Sequence, residues 1–232
     1  MSLYVLVPGA GGSAWYWHRL VPLLTQHGHT AVAVELPASD DHAYVSDYVD
    51  AAVDQALRAQ ARSNQSVIVL GQSMGGFVAP SVALELGARE LVLLNAMIPR
   101  PGERVGEWFS NTGQPAAAQG LAREEGRPPH DGVDPVDDMF NDVPQHVVDE
   151  AFRAGEPLQS QTPFADSWPP DAWPDIATRV LAARSDRMFP FEFQQRVAAD
   201  RLNLEVHPVP GGHLAALGRP DELLAALLAT SS

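Results

Sequence analysis

The chain has 232 residues, 29 acidic side chains against 15 basic ones, and a formal charge of −14 at pH 7. Every basic residue is arginine, and there is no lysine and no cysteine. So acidic a surface repels phosphate backbones and anionic lipid, which argues against nucleic-acid and membrane-surface roles; the missing cysteine removes thiol nucleophiles, disulfides and thiolate-bound metals.

The length suits one domain, or one domain carrying an inserted cap. Residues 1–7 lack the basic flank and cleavage site of a secretory signal, and no run approaches the roughly 18 apolar residues of a membrane span. A cytoplasmic protein is expected.

In chain order, six apolar runs read as buried strands: Tyr4–Val7, Ala31–Glu35, Val67–Leu70, Leu91–Asn95, Arg179–Ala183 and Leu204–Val209. Their continuous apolar character, without alternation, suits a parallel sheet covered on both faces. Helical patterns lie between them at about Ala14–His27, Val45–Arg62, Met74–Leu86, Pro190–Asp200 and Pro220–Ala229. Strand and helix alternate, which predicts an α/β fold with right-handed crossovers.

One interval breaks the rhythm. Residues Pro99 to Pro174 hold 12 of the 20 prolines and three of the five tryptophans, and offer no convincing strand. Trp108, Phe109, Phe140, Phe152, Trp168 and Trp173 supply too much apolar surface for a solvated linker. We expect a folded cap at 99–174 inserted into a core formed by 1–98 and 175–232, with only Pro115–Gly120 as a mobile loop.

The first strand runs into Gly9-Ala10-Gly11-Gly12-Ser13-Ala14, which fits G-x-G-x-x-A, and Glu35 follows 21 residues after Ala14. That is the arrangement of a dinucleotide site, so an NAD(P)-dependent oxidoreductase has to be weighed. A short-chain reductase needs a Tyr-x-x-x-Lys pair, which a lysine-free chain lacks. Glu35 then reads as a loop or helix-capping residue.

A second glycine motif, Gly71-Gln72-Ser73-Met74-Gly75, lies directly between a strand and a helix. Alone it would also fit a glycine-rich turn with a capping serine. In this context it is the G-x-S-x-G nucleophile elbow, whose sharp turn strains the serine and excludes bulky side chains two residues to either side. The helix dipole behind Ser73 favours negative charge developing there.

Eight histidines compete to be its base. His18, His27 and His29 fall in or after the first helix, His42 in a polar loop, His130 and His146 in the cap, and His207 within a strand. His213 differs: it sits in the loop Pro210-Gly211-Gly212-His213, past the last strand, at the end where α/β sheets assemble sites. The orienting acid should lie between Ser73 and His213 in the chain, at a strand's carboxyl end. Asp186 meets that demand, Asp175 is at the wrong end of its strand, and the position after the fourth strand reads Asn95-Ala96-Met97, without a carboxylate. Asp186 would fix the His213 tautomer and stabilise its imidazolium.

Ser73, Asp186 and His213 in this order resemble the α/β-hydrolase superfamily over nearly the whole chain. The opening, Val7 to Pro37, resembles the plant methylesterase and hydroxynitrile lyase group and its bacterial esterase relatives. Gly9, Ala10, Trp15 and Trp17 match that group's pattern, and Pro8 replaces its usual histidine. The resemblance implies that the backbone N–H groups of Ala10 and Met74 form an oxyanion hole. It also implies a reduced sheet of about six strands without the first antiparallel hairpin. Leu214 stands where the lyases carry a lysine, which argues against cyanohydrin cleavage.

The expected function is therefore hydrolysis of a small to medium apolar carboxylic ester through an acyl-enzyme, without cofactor or metal. Thioester, lactone and carbon–carbon bond hydrolysis share the same constellation. Trp108, Phe140 and Trp168 are the candidate substrate contacts, although cap aromatics would equally serve as the cap's own core. A non-catalytic small-molecule-binding protein on the same scaffold is the alternative from another class.

Overall fold

A computed structural model describes residues 1–61, 65–128, 132–155, 157–168 and 172–229. Arg62, the last residue of the expected second helix, and His130 lie outside the described residues.

Among the described residues there are six strands, β1 (Ser2–Val7), β2 (Thr30–Ala33), β3 (Ser66–Gln72), β4 (Glu90–Leu94), β5 (Thr178–Ala183) and β6 (Val206–Val209). They form one sheet in the order β2-β1-β3-β4-β5-β6, with every neighbouring pair parallel. Alternate residues of the same strand serve opposite faces: Leu3, Val5 and Val7 join one buried cluster, Tyr4 and Leu6 the other. Both faces of the central strands are buried, so those strands read as unbroken apolar runs instead of alternating.

The first cluster is covered by α2 (Val45–Gln60), α3 (Ala79–Glu85) and α8 (Phe191–Leu202), the second by α1 (Leu20–Gln26), α9 (Ala215–Gly218) and α10 (Pro220–Leu228). Two expected helices begin as tighter turns. Ala14–Trp17 and Ser73–Phe77 are 3-10 helices, and α1 and α3 follow them. Pro80 sits in the first turn of α3, where a missing N–H leaves no hydrogen bond broken.

Residues 99–174 hold α4 (Val105–Thr112), α5 (Gln114–Glu124), a π-helical turn at Pro135–Met139, α6 (Gln145–Ala154) and α7 (Thr162–Ala165). Pro115–Gly120 is not a loop but lies inside α5. Gly113, left-handed at φ 72°, ends α4 and starts α5, and Pro115 then occupies the first turn, ahead of alanines and a glutamine that favour helix. What looked loose in composition is a helix start.

The two ends of this segment are tied together. Gly102 N–H donates to Trp168 O at 3.2 Å, Trp168 N–H to Glu103 O at 2.9 Å, and Val105 N–H to Asp166 O at 3.2 Å. Glu103 is also paired with Arg201 of α8, Nη2 to Oε1 at 2.9 Å, with only 3% and 5% of the two side chains exposed. Burial opposes ionisation of Glu103. Arg201, the Asn111 amide and the Arg100 N–H together outweigh it and hold the carboxyl below its ordinary value.

Because the folded-state value lies below the unfolded one, the pair's stabilisation is complete above the ordinary carboxyl value of 4.5 and is lost as pH falls through the depressed value. Glu103→Gln is expected to cost about 3 kcal/mol at neutral pH by leaving Arg201 buried without its anion. Thermal melts from neutral to strongly acidic pH check this: the gap between wild type and variant should narrow as Glu103 protonates, and a pH-independent gap would refute the pairing argument.

Candidate active site

Carboxyl ends of parallel strands bring together the residues singled out in the sequence. At the end of β3 the chain enters the 3-10 helix so abruptly that Ser73 is left-handed, with φ 51°. That conformation costs a non-glycine residue on the order of 1–3 kcal/mol. Two bonds hold it: Ser73 N–H donates to Asn95 O at 3.2 Å, and Met97 N–H donates to Ser73 O at 2.9 Å. The flanking glycines are required by close approach, since a Cβ on Gly71 would lie 2.6 Å from Ala79 Cβ and one on Gly75 2.6 Å from Pro8 O.

His213 is fully buried in the loop after β6, and its Nε2 lies 3.1 Å from Ser73 Oγ. On the other side Nδ1 lies 2.9 Å from Asp186 Oδ2. With a carboxylate facing Nδ1, that nitrogen carries the hydrogen and Nε2 presents its lone pair to the serine hydroxyl. The ring is wedged edge-on against Phe189, with centroids 5.0 Å apart at 83°.

Asp186 is 0% exposed, so its charge must be satisfied internally. Oδ1 accepts the Met188 and Phe189 N–H groups at 2.9 and 2.8 Å, and Oδ2 accepts from His213 and, at 3.4 Å, from Gln194 Nε2. These donors fix the carboxylate relative to the imidazole. Burial, reinforced by the Asp186 charge, pushes the Tyr16 phenol well above its ordinary value, so this buried hydroxyl stays neutral.

The remaining described histidines are elsewhere. His18 stacks on Trp15 and sits 2.8 Å from Trp15 O, His27 Nδ1 lies 2.9 Å from Leu23 O, and His29 Nδ1 accepts the Ser2 N–H at 3.2 Å. His42, His146 and His207 are exposed.

Gly9 to Gly12 form a turn closed by Gly12 N–H to Gly9 O at 3.1 Å, with Ala10 exposed at its tip and Gly11 at φ 83°. The turn is clamped by the inserted segment: Gly11 N–H donates to Gln159 Oε1 at 2.8 Å, while Gln159 Nε2 donates to Tyr48 Oη at 3.1 Å. Glu35 Oε2 accepts the Ala14 N–H at 2.7 Å, so it caps the first 3-10 helix. Met74 is the second residue of the 3-10 helix that Ser73 begins, and it is buried.

The aromatic candidates divide. Trp108 is 0% exposed, packs against Phe109, Phe189 and Phe193, and donates its Nε1–H to Ile98 O at 3.0 Å. Trp168 is 1% exposed, and its ring lies 5.4 Å from that of Trp173 at a 41° tilt. Both are buried core side chains in this structure; apolar area drives them inward, and sequence gives no sign of which aromatics face outward. Phe140 is half-buried, with its ring 5.6 Å from Phe152.

Four amides around the site were not anticipated: Gln72, Asn95, Gln159 and Gln194. Asn95 had been noted only as a missing acid. Among the described residues, no group of three or more His, Asp or Glu side chains could hold a metal ion, and no helix is long and apolar enough to cross a membrane.

Comparison with known proteins agrees with this architecture. The chain is 24% identical over 253 residues to polyneuridine aldehyde esterase of Rauvolfia serpentina, covering 97% of this chain and 94% of that enzyme. The crystal structure of polyneuridine aldehyde esterase superposes with a TM-score of 0.73 at 22% identity, over 98% of each chain. Norfluorocurarine synthase 1 of Strychnos nux-vomica is 39% identical over 87 residues, a match spanning 35% of this chain and only 32% of that protein. The esterase, aligned almost end to end, bears out the resemblance drawn from the opening segment. The alpha/beta hydrolase family profile matches residues 4–227, nearly the full length. The chain belongs to the alpha/beta hydrolase family.

Proposed function

We propose that the protein is a serine hydrolase that cleaves small to medium apolar carboxylic esters. The observation that carries this reading is the unbroken relay Ser73 Oγ, His213 Nε2, His213 Nδ1, Asp186 Oδ2, with steps of 3.1 and 2.9 Å. Ser73 attacks the ester carbonyl while His213 Nε2 takes its proton. The Ala10 and Met74 N–H groups receive the oxyanion, each such donor being worth about 3 kcal/mol. Collapse expels the alcohol, protonated by His213, and leaves an acyl-Ser73. Water, deprotonated by the same nitrogen, then releases the acid and restores the serine.

Asp186 holds the ring and stabilises the imidazolium. In this reading residues 1–98 and 175–232 are the catalytic core, and 99–174 form a cap whose half-buried Phe140 is the remaining aromatic candidate for substrate contact. The esterase relative supports an ester as the substrate class.

The test is a fluorophosphonate probe followed by peptide mapping, together with a panel of p-nitrophenyl esters of increasing acyl length. Labelling on the peptide that contains Ser73 and turnover of the short esters are expected. A folded protein that is neither labelled nor active on any ester would overturn the proposal and favour a non-catalytic binding protein.

A further inference from the structure

β4 lies between β3, which delivers Ser73, and β5, which delivers Asp186, yet no catalytic group is assigned to it. It runs directly into Asn95, which is 0% exposed and left-handed at φ 44°. Asparagine is among the few non-glycine residues that visit this region readily.

The polar groups of Asn95 reach three separate parts of the chain: β5, the Ser73 elbow and the His213 loop. Its backbone N–H donates to Leu181 O at 3.0 Å, and its backbone oxygen accepts the Ser73 N–H at 3.2 Å. Its Oδ1 accepts the Ala183 N–H at 2.7 Å, across 88 positions of sequence. Its Nδ2 donates to Gly212 O at 3.2 Å and to His213 O at 3.0 Å, the latter across 118 positions. The side-chain amide thus behaves as one more peptide unit beyond the end of β4. Its carbonyl continues the pairing with β5, and its two hydrogens pin the peptide that carries His213.

Both amide hydrogens are used, so the group has one orientation that satisfies all its neighbours. Gln72 Nε2 adds a second donor to His213 O at 3.3 Å.

We propose that Asn95 is a positioning residue: its backbone holds Ser73 while its side chain ties the end of β5, which leads to Asp186, to the His213 loop, and together these bonds set the serine–imidazole distance. The inference rests on the serine-hydrolase reading. Asn95 touches no substrate and acts only through these bonds.

The experiment compares the full-length wild type with Asn95→Ala and Asn95→Asp. Aspartate keeps the size and the acceptor for Ala183 but replaces both N–H donors. Folding is checked by circular dichroism and thermal melting, steady-state kinetics use p-nitrophenyl butyrate, and the rate of fluorophosphonate labelling is measured in parallel.

Folded variants should lose about 10²-fold in kcat with KM unchanged, because displacement of a reacting group by an ångström costs that much. Labelling should slow in the same proportion, a change that loss of stability alone does not produce. If Asn95→Ala does not fold, Asn95→Asp decides alone. A folded variant with wild-type kcat and labelling rate overturns the proposal, as does a rise in KM with kcat preserved. An unlabelled, inactive wild type would instead sink the serine-hydrolase reading, before any Asn95 variant is compared.

Discussion

Ser73→Ala is expected to reduce kcat by about 10⁴- to 10⁶-fold and to abolish fluorophosphonate labelling, with the melting temperature little changed. The hydroxyl makes its side-chain hydrogen bond to His213 alone, and alanine inherits the same left-handed backbone strain, so the substitution removes chemistry and leaves packing in place. Residual turnover should come from the N–H donors at Ala10 and Met74 acting on a bound ester attacked by water. His213→Ala made in the Ser73→Ala background should cost nothing further, because the two groups act as one unit. Stopped assays with p-nitrophenyl acetate, corrected for spontaneous hydrolysis, have the range to see this. A double variant much slower than either single one would mean that His213 has another nucleophile to serve.

Gly76→Ala should have the largest effect on the fold itself. A Cβ built there meets the Met97 carbonyl oxygen well inside contact distance, and the Met97 carbonyl carbon at 2.9 Å. Met97 cannot easily retreat, because its N–H is bonded to Ser73 O at 2.9 Å. The added methyl must therefore push the elbow helix away from the segment that follows β4, opening the junction on which Ser73 sits. A loss of more than about 4 kcal/mol is expected, in the class of overpacking and broken hydrogen bonds. Denaturant titration of soluble variant protein measures it, and an unfolding midpoint equal to that of the wild type would show that the loop yields freely.

These two expectations have different origins in the sequence. Ser73, Asp186 and His213 were legible because the chemistry demands particular residue types at particular ends of strands, and short apolar runs mark those ends well. The neighbour of Gly76, the backbone at Met97, was not legible, since that contact depends on how β4 exits the sheet. Asn95 illustrates the converse. It was noted for lacking a carboxylate, whereas its value lies in offering two donors and one acceptor at once, a property visible only when three remote parts of the chain surround it.

The inserted segment was the hardest to read. Its aromatic content gave no sign that Trp108 and Trp168 are buried, because composition records how much apolar surface exists and not where it points. Pro115 was misread for a similar reason: a proline followed by small residues marks a break or a beginning, and only the left-handed Gly113 before it selects the second.

The strand order has a consequence for folding kinetics. β6 is an edge strand whose single neighbour is β5, and His213 hangs from its far end, 140 residues from Ser73. Such long loops close late, since entropy must be spent before distant pairings reward it. In refolding from denaturant, helical and sheet signals can therefore return while the imidazole is still undocked. Recovery of hydrolysis becomes a clock for the last strand joining the sheet, with catalysis reporting on topology.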